Sequence, residues 1–208
     1  MSDYRDPPPS MLSRAVKRLI VTNFRWRGWT AFGLPPPGRR CVIIAVPHTS
    51  NWDFPNVLGV TSELGIDVHF MGKDSLFRWP IGNFMRDMGG VEVDRSSRRN
   101  LVQQMVDEFA RRDEFMLVIA PEGTRSAVNR WRTGFYQIAL QAQVPLVCGM
   151  MDYGTKTGGL GPAIMPTGDY RADMRKIVEF YRQGRPRHPE RAIDVQTVLD
   201  AYDDPPSR

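Results

Sequence analysis

His48 directly follows an apolar run that ends in Pro47, and Asp53 stands five positions later. Histidine is the side chain that exchanges a proton near neutral pH, so one at a strand end is a candidate general base. A carboxylate would hold its ring in one tautomer and steady the charge it gains. On a regular helix five positions span roughly 140°, so the two side chains would not share a face. They meet only if His48 lies in a loop and Asp53 in the first turn of a helix. Taken alone, this pair is a weak signal and is more often the pattern of a capping or loop histidine.

Two further polar clusters carry arginines. Asp94 and Arg95 follow a short apolar stretch, and Arg98 and Arg99 come next. Pro121–Glu122–Gly123–Thr124–Arg125–Ser126 follows the run FMLVIA. A guanidinium grips phosphate through two parallel hydrogen bonds. Gly123 permits close backbone approach, and Thr124 and Ser126 add hydroxyl donors. Arg98, Arg99, Arg111 and Arg112 read as a solvated charge cluster.

Other chemistries have less support. The chain has no Gly-rich loop ending in Lys-Ser or Lys-Thr and no Gly-x-Ser-x-Gly elbow. His48, His69 and His188 are widely spaced, so no metal site is expected. Cys41 and Cys148 sit inside apolar runs and read as buried, reduced thiols.

The elements that must present these residues follow from the hydrophobic pattern. Strands are expected at CVIIAV (41–46), DVHFMG, Val91–Val93, FMLVIA (115–120) and PLVCGMM. Helices are expected from about Trp52 to Leu64, Arg99 to Arg112 and Thr133 to Ala142. This alternation argues for an α/β fold with a central, mostly parallel mixed sheet flanked by helices. In such folds, loops beyond the strand ends carry ligands and chemistry. The loops HTSNWD, DRSSRR and PEGTRS all stand there.

The remaining signal lies at the N-terminus. Residues 1–40 hold eight basic and two acidic residues, a net +6, whereas the rest holds 20 basic and 21 acidic. Leu12, Ala15, Val16, Leu19, Ile20 and Phe24 mark an amphipathic helix with Arg14, Lys17, Arg18 and Arg25 opposite. Trp26 and Trp29 suit a headgroup layer. The expected organisation is a disordered tail over 1–10, an interfacial helical arm over 11–32, and a single α/β domain over 39–208. The connector GLPPPG separates arm from body. No run reads as a signal peptide or a membrane span, because Thr133–Met151 is broken by three glutamines and Pro145. A basic pole with interleaved aromatics also suits a noncatalytic lipid- or nucleic-acid-binding protein, a reading that leaves the polar loops without a role.

His48–Thr49–Ser50–Asn51–Trp52–Asp53 resembles the HxxxxD motif of the glycerolipid acyltransferases, the family of the lysophosphatidic acid acyltransferases. Gly90–Arg95 is similar to that family's second block, Pro121–Ser126 to the third, and Val144–Val147 to the fourth. Lys73, Pro80 and Gly82 resemble the segment between the first two. The blocks stand in the family's order over residues 41–150. The resemblance implies His48 as base and Asp53 as its partner. It implies Arg95, Glu122, Gly123, Thr124, Arg125 and Lys73 as the acceptor-binding set. It further implies acyl-CoA or acyl carrier protein as donor, a lysophosphatidate-like acceptor, no acyl-enzyme, and neither metal nor cofactor. Expected partners are a membrane lipid surface and these substrates, with no nucleic acid, at the cytoplasmic face of the cell membrane. Other lipids, such as a glycolipid or an ornithine-type lipid, are alternative acceptors. The chain departs from the family's pattern at Ala120, where Phe is common, and at Trp52, which is bulkier than the usual residue.

Overall fold

The computed structural model describes residues 7–94, 98–124, 128–182 and 184–203. Helix α1 (Met11–Trp26) leads into strand β1 (Thr30–Phe32) and then β2 (Arg40–Val46). There follow α2 (Asp53–Glu63), β3 (His69–Lys73), α3 (Gly82–Asp87), β4 (Gly90–Val93), α4 (Arg98–Arg111) and β5 (Phe115–Ile119). The chain continues through α5 (Gly134–Ala142), β6 (Leu146–Asp152), β7 (Thr157–Ile164), α6 (Tyr170–Tyr181) and α7 (Val195–Asp203).

The seven strands form one sheet in the order β1-β7-β6-β2-β5-β3-β4. Every neighbouring pair is parallel except β6 and β7. The strand-helix alternation of the sequence is thus a mostly parallel sheet flanked by helices. A strand covered on both faces is apolar throughout rather than alternating, and β2 shows why its run is continuous. Val42, Ile44 and Val46 pack into the larger core with Met105, Phe135 and Ile177. Cys41 and Ile43 face a second layer with Ile66, Val147 and Leu160. Both thiols are buried and unpaired.

The arm over 11–32 and the body are not separate. Helix α1 is capped by Ser10, whose Oγ accepts from the Ser13 N–H at 3.2 Å. It lies on α2, with Phe24 against Gly59; Ser13 donates to Asp87 of α3 at 2.7 Å, and Lys17 pairs with Asp67 at 3.2 Å. Thr30–Phe32, expected in the arm, join the sheet beside β7. A Pro-rich connector is stiff but does not prevent the strand before it from finding a sheet edge. The helix is also turned relative to its expected faces. Leu12, Leu19 and Trp26, seven residues apart, are 72%, 70% and 83% exposed. Among the described residues, no helix is long and apolar enough to cross a membrane.

Arg112 does not belong to a solvated cluster. The chain leaves α4 after Arg111 and turns Arg112 inward across β5, where it is 7% exposed. Its Nε donates to Glu108 at 2.8 Å and its guanidinium lies 5.1 Å from the Phe115 ring centroid. The strands and helices expected from the hydrophobic pattern end with β6. Beyond it, α6 seals the core: Tyr181 donates to the Ile44 carbonyl at 2.5 Å, and the buried Asp173 accepts from Tyr136 at 2.8 Å.

Candidate active site

The carboxyl ends of β2, β5, β3 and β4 stand side by side along one sheet edge. The segments after β2 and β5 carry the first and third polar clusters, Lys73 ends β3, and Asp94 follows β4. Adjacency in the sheet therefore gathers loops that are far apart in sequence. Arg95 and Arg125 lie outside the described residues.

His48 sits in the loop after β2 and Asp53 opens α2, the one arrangement that lets this spacing work. The His48 Nδ1 is 3.0 Å from an Asp53 oxygen. Asp53 is 2% exposed, yet it is fully served. The Ser50 N–H donates to Oδ2 at 2.9 Å, and the Tyr153 hydroxyl donates to Oδ1 at 2.6 Å. Burial pushes the Asp53 carboxyl up, and hydrogen bonds from His48, Tyr153 and Ser50 outweigh it, so its pKa falls below the ordinary value. Asp53 is therefore an ionised acceptor, and the Nδ1 facing it must carry the proton. The other ring nitrogen, Nε2, is left with a lone pair and can accept a proton.

Tyr153 is a residue the sequence reading missed. Its hydroxyl also accepts from Asn56 Nδ2 at 3.2 Å. Burial, then the bond to Asp53, raises the phenol well above its ordinary pKa. It remains a donor throughout the working range. Its ring stands edge-on to Trp29 at 5.0 Å, and Trp29 lies 5.8 Å from Phe24 of α1. Asn56 had a local signal, being three residues from Asp53 and hence on the same helix face. Tyr153 had none, since it arrives from the end of β6 a hundred residues later.

Glu122 reaches back to the same loop. Its Oε2 accepts the His48 backbone N–H at 2.8 Å, and the residue is 4% exposed. Its other oxygen, Oε1, is buried without a hydrogen-bond partner among the described residues. Burial pushes the carboxyl pKa up to about 7, with the Asp53 charge adding to that effect. Gly123 follows with a left-handed φ of 68°. Arg132 packs against it, since a Cβ at Gly123 would lie 2.7 Å from the Arg132 Nε. The Arg132 N–H also donates to the Pro121 carbonyl at 2.8 Å, which pins this second missed residue beside the loop. Thr124 is exposed beside Gly123, and Lys73 is exposed at the end of β3.

A cavity of about 1650 Å³ opens beside His48 and Asp53. It exceeds the roughly 300–1,000 Å³ usual for small-ligand pockets. Its walls are mainly aliphatic, with Ile43, Val57, Leu64, Val118 and Leu160 between α2 and the sheet. Thr124, Arg130 and Arg132, all exposed, also join the lining. The site thus combines a fixed imidazole, an apolar recess and cationic side chains. The cysteines offer no nucleophile, because burial pushes both thiols up to about 12. Among the described residues, no group of three His, Cys, Asp or Glu side chains is placed to hold a metal ion.

This geometry can deprotonate a hydroxyl held near Nε2 while an aliphatic chain occupies the recess. A search of curated proteins finds no match. Among solved structures, the chain is similar to the 1-acyl-sn-glycerophosphate (LPA) acyltransferase PlsC from Thermotoga maritima. The two share 19% sequence identity with a TM-score of 0.57, over 81% of this chain and 75% of the other. That likeness speaks for the fold. The sequence pattern of the acyltransferase family matches residues 34–151, which include His48, Asp53, Glu122 and the apolar run before Tyr153. With more than half its length under that pattern, the chain belongs to the acyltransferase family.

Proposed function

We propose that the protein transfers a fatty acyl group from a thioester, acyl-CoA or acyl carrier protein, to the hydroxyl of a lysophosphatidate-like acceptor in phospholipid synthesis. The observation that carries this reading is the imidazole held by Asp53 at 3.0 Å beside the large, mainly apolar cavity. His48 Nε2 takes the proton of the acceptor hydroxyl as its oxygen attacks the thioester carbonyl. The tetrahedral intermediate then collapses, the carbon–sulfur bond breaks, and the thiolate recovers the proton from the imidazolium. The products are an ester and a free thiol. Asp53, steadied by Tyr153 and Asn56, fixes the ring and stabilises its charge.

In this reading Arg95, Arg125 and Lys73 hold the acceptor's phosphate. Glu122 ties down the His48 backbone and stands on the acceptor side of the site. Gly123 keeps the loop clear of bulk, and Thr124 adds a donor. Arg132, beside Gly123, reinforces the phosphate side. The name carried by the Thermotoga maritima protein, an LPA acyltransferase, supports the choice of acceptor.

The reaction runs at a membrane surface in this reading, with the protein peripheral on the cytoplasmic face. Leu12, Leu19 and Trp26 project from α1, and Arg14 and Arg18 are exposed on the same helix. That is the pattern of an interfacial helix seated among anionic headgroups. The test is thiol release by purified protein given acyl-CoA and a panel of acceptors: lysophosphatidate, a glycolipid and an ornithine-type lipid. Lysophosphatidate-dependent release is expected. Release with none of them refutes the reading, and release with a neutral glycolipid alone refutes the phosphate acceptor.

A further inference from the structure

Trp52, next to the buried Asp53, presents an indole that is 47% exposed. Two guanidinium groups flank it. Arg27 lies 5.1 Å from the ring centroid and Arg187 lies 5.5 Å from it, with Arg187 also 5.9 Å from the Tyr153 ring. They come from different segments, Arg27 from the end of α1 and Arg187 from the stretch between α6 and α7. Lys156, in the turn between β6 and β7, donates its Nζ to the Arg27 carbonyl at 3.2 Å. Arg185 packs onto the same turn, where a Cβ at Gly154 would lie 2.6 Å from its Cδ. Four cations from three segments thus converge on the Asp53 side of the His48–Asp53 pair.

The carboxylates of this region are committed elsewhere. Asp53 serves His48, Ser50 and Tyr153. Asp152 accepts from the N–H groups of Gly154 and Thr155 at 2.7 and 3.1 Å. Glu190 pairs with His188 and Arg191. Among the described residues, neither Arg27 nor Arg187 has an ion-pair partner. Gathering like charges opposes folding, so such a cluster is matched by an anion from outside. Arg132 stands beside Gly123, on the Glu122 side of His48. Transfer between two anionic substrates needs one such place for each.

We propose that Arg27 and Arg187, gathered on Trp52, bind the phosphates of a coenzyme A-type donor together with Lys156 and Arg185. This rests on the acyl-transfer reading above. Four cations exceed what a single phosphodiester requires and suit a ligand bearing several phosphates. A donor seated there points its thioester toward His48, while the acceptor's phosphate lies on the Glu122 side.

The experiment measures, by titration calorimetry, the affinity of the full-length protein for coenzyme A and for pantetheine, which lacks the phosphates and the base. Wild type is expected to bind coenzyme A at least about 100-fold more tightly, with the gap shrinking between about 50 and 500 mM salt. The double variant R27A/R187A should lose about 10-fold per guanidinium removed, ~1.4 kcal/mol each, and keep its affinity for pantetheine. R27K/R187K should recover most of the coenzyme A affinity. Equal wild-type affinities for the two ligands overturn the proposal, and that comparison needs no variant. So does a double variant that keeps coenzyme A affinity but no longer binds phosphatidylglycerol vesicles, which makes the cluster a headgroup site. Weak coenzyme A binding with acyl transfer intact sinks this assignment alone. Absence of transfer from every thioester sinks the acyltransferase reading instead.

Discussion

Replacing Glu122 by Gln should make the protein more stable and less active, and the gain should depend on pH. The carboxyl is 4% exposed, with one oxygen on the His48 N–H and the other without a partner among the described residues. Its pKa rises from 4.5 to about 7 because burial penalises the charged form. Between those values the unfolded chain has lost the proton while the folded protein keeps it. The folded state then binds more protons, so this group's contribution to stability falls as pH rises from about 4.5 to about 7. Above that window the ionised carboxylate costs about 3 kcal/mol, at 1.36 kcal/mol per pKa unit. Gln cannot ionise, yet it still accepts from the His48 N–H. At pH 8 the variant should therefore unfold roughly 6–12 °C higher than wild type, and near pH 4.5 the two should converge. Asp53 acts in the opposite sense, stabilising above its ordinary pKa and less as pH falls below it. Both proteins contain it, so only its repulsion of the Glu122 charge, already part of that group's raised pKa, enters the difference. Thermal denaturation at the two pH values decides the matter. A variant less stable at pH 8, or a gain of equal size at both, refutes the reasoning.

Tyr153→Phe removes one hydrogen bond to a carboxylate, worth about 1.5–3 kcal/mol. It should lower kcat roughly 10-fold or more, with KM little changed and the pH profile displaced; an unaltered kcat contradicts the positioning role. Replacing Leu12, Leu19 and Trp26 together by Gln should weaken partition onto anionic vesicles more than about 100-fold, at roughly 1.5–3 kcal/mol per buried side chain. Co-sedimentation with vesicles measures this, and undiminished binding sinks the interfacial role of α1. Gly59→Ala places a Cβ 2.3 Å from the Phe24 Cγ. It should destabilise the fold by about 1–3 kcal/mol through the contact of α1 with α2, which denaturant unfolding will read.

The central pair was legible because its spacing admits one solution, a loop followed by the first turn of a helix. The five strands expected from apolar runs are present; β2, β5 and β6 are buried along most of their length and so carry continuous apolar runs. β7 was not legible. Its sequence TGGLGPAI has few strand-forming residues, since a Cβ at Gly159 would lie 2.1 Å from the Phe32 carbonyl oxygen. Glycine there admits β1 and so draws the expected arm into the sheet. Tyr153 was hidden for a related reason, since strand order rather than local pattern carries it to Asp53. Arg112 was misjudged because composition does not reveal which way a helix end turns. The orientation of α1 escaped because Ser13 occupies a buried position while two leucines face out. Arg95 and Arg125 fall outside the described residues, so their expected roles stand as part of the proposal.

One comparison bears most directly on the acyl-transfer account. Wild type and His48→Ala receive the same acyl-CoA and lysophosphatidate, and phosphatidate is counted by mass spectrometry against released thiol. The account predicts equimolar products from wild type and a rate reduced about 10²–10⁴-fold in the variant, the contribution of a general base. Equal turnover by the two proteins contradicts it.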